Sequence, residues 1–556
     1  MTDSSLKKAR IRELMTQHRF EESRSLCERT LAATPGDAGV WLLGAVIHGM
    51  LEQPQQTERY AREAIRLQPD FAEAHNSLGL ALRLQGRASE AVPVLQEAVR
   101  LKLDYADAYY NLGVTHNSLG QLTEAAECFR QTLALRPRDS DALNDLGNVL
   151  QGLHRHAEAI NCYRRALTVK PAYALAHFNL GNALIDLGET SDAIRHYRKA
   201  VEVDTGFADA HYNLGDALRV SGQLREAITY YRAAIRHKPD HAQAHFNLSS
   251  VYLLLGEFKD GWSEYAWHWR RLTSPGRPYA PTAWDGSDLR GQNVFLHAEQ
   301  GLGDELFFLR FVPWLKQRGA GRITYRPGKK IATLLACVSA IDRLAGPEEA
   351  PTTDDMIFSV GDLPRLLGMS RLDEIPPSIA LTPRAELLSS LRAQLAAHGP
   401  GPYIGVTWRA GTSRKEDVLY KETQLEQMAK ALRPISATVV LLQRHPAPGE
   451  IEAFARELGR PVHDLSALNE DLEQMLALLA LIDDYVGVSN TNMHLRAGAG
   501  KTARVLVPAP PEWRWMAEGK TSPWFPGFRV YRQEQDGNWG AALTTLQQEL
   551  IGTFTR

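Results

Sequence analysis

The chain has 556 residues, too many for one hydrophobic core when domains usually run to about 100–200 residues. Its 63 Lys and Arg stand against 65 Asp and Glu, which excludes the strong positive excess of a protein that coats nucleic acid. No run approaches the roughly 18 apolar residues that cross a bilayer, so no membrane span is expected. Four cysteines, Cys27, Cys128, Cys162 and Cys337, are too scattered for a disulfide framework or a metal site and read as small core hydrophobes in a reducing compartment. Met1 to Lys8 lead into a polar helix rather than an apolar leader, and the expected location is the cytoplasm.

In chain order, a helical pair is expected near residues 5–35, followed by a strict period. Gly79, Gly113, Gly147, Gly181 and Gly215 recur every 34 residues, and Ser249 continues the series. Ala91, Ala125, Ala159, Ala193 and Ala227 keep the same spacing. So do the large residues Leu95, Phe129, Tyr163, Tyr197 and Tyr231, and so do the prolines Pro35, Pro69, Pro137, Pro171 and Pro239, with Leu103 and Thr205 in the two proline slots that are missing. Small residues at fixed places let two antiparallel helices approach, a large one fills the gap, and proline opens the next connection. The pattern resembles the tetratricopeptide repeat (TPR), with about seven full repeats between roughly Asp37 and Thr273. Trp262, Trp267 and Trp269 in the last second helix are too much aromatic surface for a solvated cap. They are expected to form a seam with the next domain.

One column on the first helices carries amides: Ser77, Asn111, Asp145, Asn179, Asn213 and Asn247. A row of amides along a groove can bond the main chain of an extended peptide, so Asn111, Asp145, Asn179, Asn213 and Asn247 are candidates for binding an acceptor protein. A similar asparagine ladder is known in the repeats of O-GlcNAc transferase. The plain alternative is a set of polar helix-surface residues.

After Thr273 the period stops, and Ser274–Pro278 with Pro281 reads as a linker. Strands are expected at Asn293–His297, Ile323–Tyr325, Tyr403–Trp408, Ala437–Leu442, Asp484–Val488 and Ala503–Val507. Helices are expected at Glu305–Gln317 and near Glu422–Leu432, Glu450–Leu458 and Leu472–Leu481. Such alternation means parallel, doubly wound sheets. The break near Pro383–Pro402 would separate two Rossmann-like lobes, the GT-B plan. The expected domains are a repeat array over 1–273, a linker over 274–282, a first lobe over 283–390 and a second over 391–556, whose terminal helix returns to the first lobe.

Three strand-end loops carry candidate chemistry. In Glu299-Gln300-Gly301-Leu302-Gly303-Asp304, Gly301 and Gly303 permit a tight turn and close approach of a ligand. Asp304 is placed to accept a proton from an acceptor hydroxyl, against the plainer role of a helix cap. Ser489, Asn490, Thr491, Asn492 and His494 run from a strand into a helix and offer donors to a phosphate. Thr407 and Arg409 end another strand, and Arg414, Lys415 and Lys421 follow as cations for a nucleotide phosphate.

These residues resemble heptosyltransferase-like (family 9-like) glycosyltransferases, and more closely TPR-fused members of that group, over most of 285–550. The resemblance implies that Asp304 is the catalytic base, that Ser489 to His494 match the Asp-Thr-x-x-x-His motif cradling the sugar nucleotide, and that Lys421 is the phosphate-binding lysine. Pro511–Trp515 and Ser522–Pro526 look like the tail of the TPR-fused group. Ser489-Asn490 stands where the family has Asp-Thr, so a donor-site carboxylate is missing. That points away from a heptose donor and toward an acidic sugar, whose charge then meets less repulsion. TPR-fused enzymes of this sort are similar to flagellin glycosyltransferases, which attach nonulosonic acids such as pseudaminic acid from a CMP donor.

The resulting expectation is a metal-independent protein O-glycosyltransferase without a cofactor. It would take a nucleotide-sugar co-substrate and an acceptor protein such as flagellin, with Arg409 or Lys421 stabilising the leaving phosphate. Two alternatives stay open: a TPR adaptor whose glycosyltransferase domain is inactive, and an enzyme acting on a glycan or lipid.

Overall fold

The structure is a computed structural model that describes residues 3–268, 284, 288–299, 301–336, 338–410 and 421–554. Trp269, Cys337, Arg414 and Lys415 lie outside the described residues, as does the expected linker. The chain forms two compact units, Met1–Ala210 and His211–Arg556.

The first unit is built from helical hairpins. A pair at Asp3–Thr16 and Phe20–Ala33 precedes five more, from Ala38–Met50 with Pro54–Leu67 to Ala174–Asp186 with Thr190–Val203. The glycine column sits where the two helices of a pair nearly touch. A Cβ at Gly147 would lie 2.5 Å from the Tyr163 ring, and one at Gly181 would lie 2.5 Å from the Tyr197 ring. Tyr163 is fully buried there, and its hydroxyl escapes the core by donating to Asn148 Oδ1 at 2.7 Å. Each hairpin turns through a left-handed residue, Gly86, Gly120 and Gly188 among them, and His154 takes that conformation in the same slot at φ 58°. Cys27, Cys128 and Cys162 are buried and unpaired, and burial pushes the Cys27 thiol up to about 12.

The second unit opens with the last hairpins, whose helices are Ala208–Val220, Leu224–His237, Ala242–Leu254 and Phe258–Tyr265. Trp262 is the seam residue. It is buried edge-on against Trp513 at 5.4 Å and Trp524 at 6.0 Å between ring centroids. Trp267 does something else: it stacks flat on His245 at 4.0 Å, inside the repeat.

Two parallel sheets follow. The first, in spatial order β3-β2-β1-β4, comprises β1 Asn293–His297, β2 Ile323–Arg326, β3 Arg343–Leu344 and β4 Asp355–Ser359. The second, β10-β9-β8-β5-β6-β7, comprises β5 Tyr403–Thr407, β6 Thr438–Leu441, β7 His463–Asp464, β8 Asp484–Val488, β9 Arg504–Val507 and β10 Arg529–Arg532. β3, β4, β7 and β10 were not among the expected strands. They are the four edge strands of the two sheets, two to five residues long. Each sheet reverses direction beside its first strand. From β1 the chain steps out to β2 and β3, then returns to β4 on the other side; from β5 it steps to β6 and β7, then returns to β8. Val406 pairs with Val486 across that second reversal. Open α/β sheets bind ligands at such points, beyond the carboxyl ends of the strands.

The terminal helix Gly540–Phe554 corrects an expectation. Its Leu543, Leu546 and Leu550 pack with Leu441, Val486 and Leu506, and Gln547 donates to the Ala431 carbonyl at 3.0 Å. It therefore covers a face of the six-stranded sheet and does not return to the first lobe. The apolar stripe goes where unclad strand surface remains.

Candidate functional site

Within the second unit, loops after six strands converge on one cavity of about 360 Å³, β7 contributing Asn469. β1 leads to Gly301, Gly303 and Asp304; β5 to Arg409; β6 to Arg444; β8 to Ser489 through His494; and β9 to Glu512 and Arg514. Thr407 and Lys421 line it too, so every described residue expected at the donor site is brought to this one place. Glu512, Arg514, Arg444 and Asn469 also line it, and the sequence reading assigned no chemistry to them. Four cations, Arg409, Lys421, Arg444 and Arg514, face two carboxylates, Asp304 and Glu512, which suits a ligand that carries negative charge.

The side chains divide by what they already hold. Asn490 caps the helix Thr491–Gly498: its Oδ1 accepts from the Asn492 amide at 2.9 Å. Its amide group donates to the Tyr485 hydroxyl at 3.1 Å, Tyr485 donates to Thr407 Oγ1 at 2.8 Å, and Thr407 donates to the Leu442 carbonyl. That chain fixes the ends of β5 and β8 against each other. His494 is buried between the edges of Phe307 and Phe525. Burial, with Arg514 and Arg310 nearby, holds its pKa well below the usual histidine value, so at neutral pH it offers an uncharged imidazole. Gly303 leaves room for that ring, since a Cβ there would lie 3.2 Å from His494 Nε2. Gly301 does the same for Asp304, whose Oδ2 would be 2.9 Å from an added Cβ.

Two expectations change. Arg409 is paired with Glu450 through bonds of 2.8 and 3.1 Å, so its charge is largely committed within the protein. And the carboxylate missing from Ser489-Asn490 is supplied from elsewhere. Glu512, on the loop after β9, accepts from Ser489 Oγ at 3.1 Å, from Lys421 Nζ at 2.6 Å and from Arg514. Burial disfavours its charge, but Lys421 and Arg514 outweigh burial and hold Glu512 far below the ordinary carboxylate range. Arg514 spans to Asp304 with its other terminal nitrogen. The signal available in sequence was Glu512-Trp513-Arg514-Trp515, charges alternating with tryptophans that must be buried.

A second cavity, of about 670 Å³, shares Asp304, Lys421, Glu512 and Arg514 with the first. Its other wall comes from the last repeats: Tyr212, Asp216, Arg219, Phe246 and Asn247. Asn247 thus stands beside the cavity, but its amide group already donates to Tyr212 at 3.2 Å and Asp216 at 3.1 Å. The rest of the amide column is engaged in the same way. Asn111 donates to Asn76 Oδ1 at 2.9 Å, Asn179 donates to Asn144 Oδ1 at 2.9 Å, and Asp145 accepts from Tyr110 at 2.7 Å. Asn213 also has an internal partner. The column joins successive first helices, which costs it part of the bonding capacity expected for a peptide.

Tetratricopeptide-repeat family profiles match residues 104–172, residues 79–120 with 181–219, and residues 212–261. Residues up to Tyr265 are a TPR array. Protein FlbA of Caulobacter vibrioides is 27% identical over 319 residues, 52% of this chain and 52% of that protein. The chain therefore spans about half the length of this curated relative. Among solved structures, the APC/C hetero-tetramer Cut9–Hcn1 is 22% identical over 43% of this chain and 47% of its own, with a TM-score of 0.38. YrrB, described as a TPR protein with an unusual peptide-binding site, is 26% identical over 33% of this chain and 95% of its own, with a TM-score of 0.30. Among the described residues, no helix is long and apolar enough to cross a membrane.

Proposed function

We propose that the chain is a nucleotide-sugar-dependent protein O-glycosyltransferase of the GT-B plan. The observation that carries this reading is the pair of cavities meeting at Asp304: one at the strand ends with an excess of cations, the other walled by the last repeats. The donor's phosphate lies toward Lys421 and Arg444, and an acceptor chain enters along Tyr212, Phe246 and Asn247. Asp304 takes the proton of a Ser or Thr hydroxyl as that oxygen bonds to the anomeric carbon. The bond from the anomeric carbon to the phosphate oxygen breaks, and the nucleotide leaves as an anion met by the cations. The acceptor is a protein, flagellin being the one the resemblance suggests, and a CMP-linked nonulosonic acid is the first donor to try. Glu512 removes the argument from a missing carboxylate, so the case for an acidic donor rests on the cation excess alone.

A specific observation favours a second reading, an inactive adaptor: Arg409, Lys421 and Asp304 each already hold an ion partner within the chain. A thermal-shift screen of the full chain against CMP, UDP, GDP and ADP separates the two. Ligand at 100 times its Kd stabilises by about 2.7 kcal/mol. A shift with one nucleotide, lost in Asn490→Ala or His494→Ala, is the expected result. No shift with any of the four would leave the adaptor reading.

A further inference from the structure

Arg514 is held more firmly than a surface cation at a cleft needs to be. Its side chain is 7% exposed. Its guanidinium lies 4.7 Å from the centre of the Phe307 ring and 4.4 Å from that of Trp513. Its own carbonyl accepts from Ser522 Oγ at 2.6 Å, which pins the backbone of the segment. Trp513 is in turn packed edge-on by Trp262 and Trp524. From this clamp the planar fork reaches two carboxylates at once, with Nη1 on Glu512 Oε1 and Nη2 on Asp304 Oδ1. A planar fork between aromatic rings has little freedom left to lose.

Asp304 is the opposite kind of group. Its side chain is 45% exposed and lines both cavities, so nothing but its partners fixes where its oxygens point. Arg514 takes one oxygen, and among the described residues no hydrogen bond is made to Oδ2. One oxygen is thereby anchored and the other left for an incoming hydroxyl.

We propose that Arg514 is the positioning residue for Asp304, with Glu512 as the anchor that sets the fork; this rests on the glycosyltransferase reading above. Lysine keeps the charge but cannot span the two carboxylates. Misplacing a reacting group by about 1 Å can cost on the order of a hundredfold in rate.

The test uses the full chain and follows nucleotide released from UDP-N-acetylglucosamine, GDP-mannose and CMP-N-acetylneuraminate, alongside nucleotide thermal shifts. Arg514→Lys is expected to keep its nucleotide shift and its KM within about threefold while kcat falls at least tenfold. Glu512→Asp, which retracts the anchor by one methylene, is expected to show the same split to a smaller extent. In Arg514→Ala, added guanidinium should restore part of kcat where an equal concentration of ammonium does not. A purely structural arginine predicts instead that kcat, nucleotide binding and melting temperature fall together with no rescue, and that pattern overturns the proposal. So does an unchanged kcat in Arg514→Lys. A wild-type chain that releases nothing from any donor and shows no shift defeats the glycosyltransferase reading, and this inference with it.

Discussion

The Ser489 hydroxyl donates a 3.1 Å hydrogen bond to the Glu512 carboxylate, joining the end of β8 to the loop after β9. Ser489 is where the sequence lacks the acidic residue of the motif it resembles, and the acid arrives from 23 residues further on. The same carboxylate takes Lys421 and Arg514, so two cations share one buried anion. Glu512→Gln keeps the shape and removes the charge. It should cost about 3 kcal/mol of stability, because two cations lose their shared counterion in a buried site. Urea unfolding of the second unit's signal checks this, and a loss under about 0.5 kcal/mol would show the cluster to be well solvated.

Gly181→Ala tests the packing of the repeat. The new Cβ would sit 2.5 Å from the Tyr197 ring, so the hairpin must open or the ring must turn. A cost of about 1–3 kcal/mol is expected, reduced by alanine's better helix propensity. Gly36→Ala is the control, with nothing within 4 Å of the added carbon and no left-handed backbone. It should change stability by less than about 0.5 kcal/mol, and equal effects at both sites would refute the packing account.

His177 and His196 face each other with ring nitrogens 3.1 Å apart. Burial, then the neighbouring His177, lowers His196 to about 4, and burial lowers His177 as well. The unfolded chain binds protons at about 6.5, so between that value and about 4 it holds more protons than the folded one. The first unit should therefore keep its full stability above pH 6.5 and lose about 2 kcal/mol as the pH falls toward 4. His196→Phe should flatten that limb in a pH series of melting curves.

His268 runs the other way. Its Nε2 lies 3.1 Å from Glu299 Oε1, and both side chains are 8% exposed. Burial works against its charge, but the hydrogen bond and charge of Glu299 prevail and raise its pKa. The pair's contribution is then complete below about pH 6.5 and lost as the pH rises through the raised folded value. Glu299→Gln should abolish that alkaline loss in the second unit, and a melting profile unchanged by the substitution would show that the pair carries no linked proton.

Much of this was legible in the chain. The glycine, alanine, aromatic and proline columns repeat every 34 residues because each hairpin meets the same neighbours, so one local rule is written many times over. The six expected strands appear where their apolar runs stood. The residues expected at the donor site, from Gly301 to His494, meet in one cavity because parallel strands deliver their ends to one edge.

What the sequence determined by itself was periodic or local: repeat register, strand and helix alternation, and which loops end at the carboxyl edge. The tertiary structure decided which charge meets which. Asp304 and Arg514 are 210 residues apart, and no pattern in either segment names the other as partner. The amide column read as a groove for peptide, and only the packing shows that its partners Asn76, Tyr110 and Asn144 lie one repeat back, so that it also ties successive repeats together. The terminal helix had an apolar stripe that fits any bare sheet face, and only the packing of the rest left one face bare. Burial and pairing of charge depend on all the surrounding groups at once, whereas periodicity depends on one neighbour repeated.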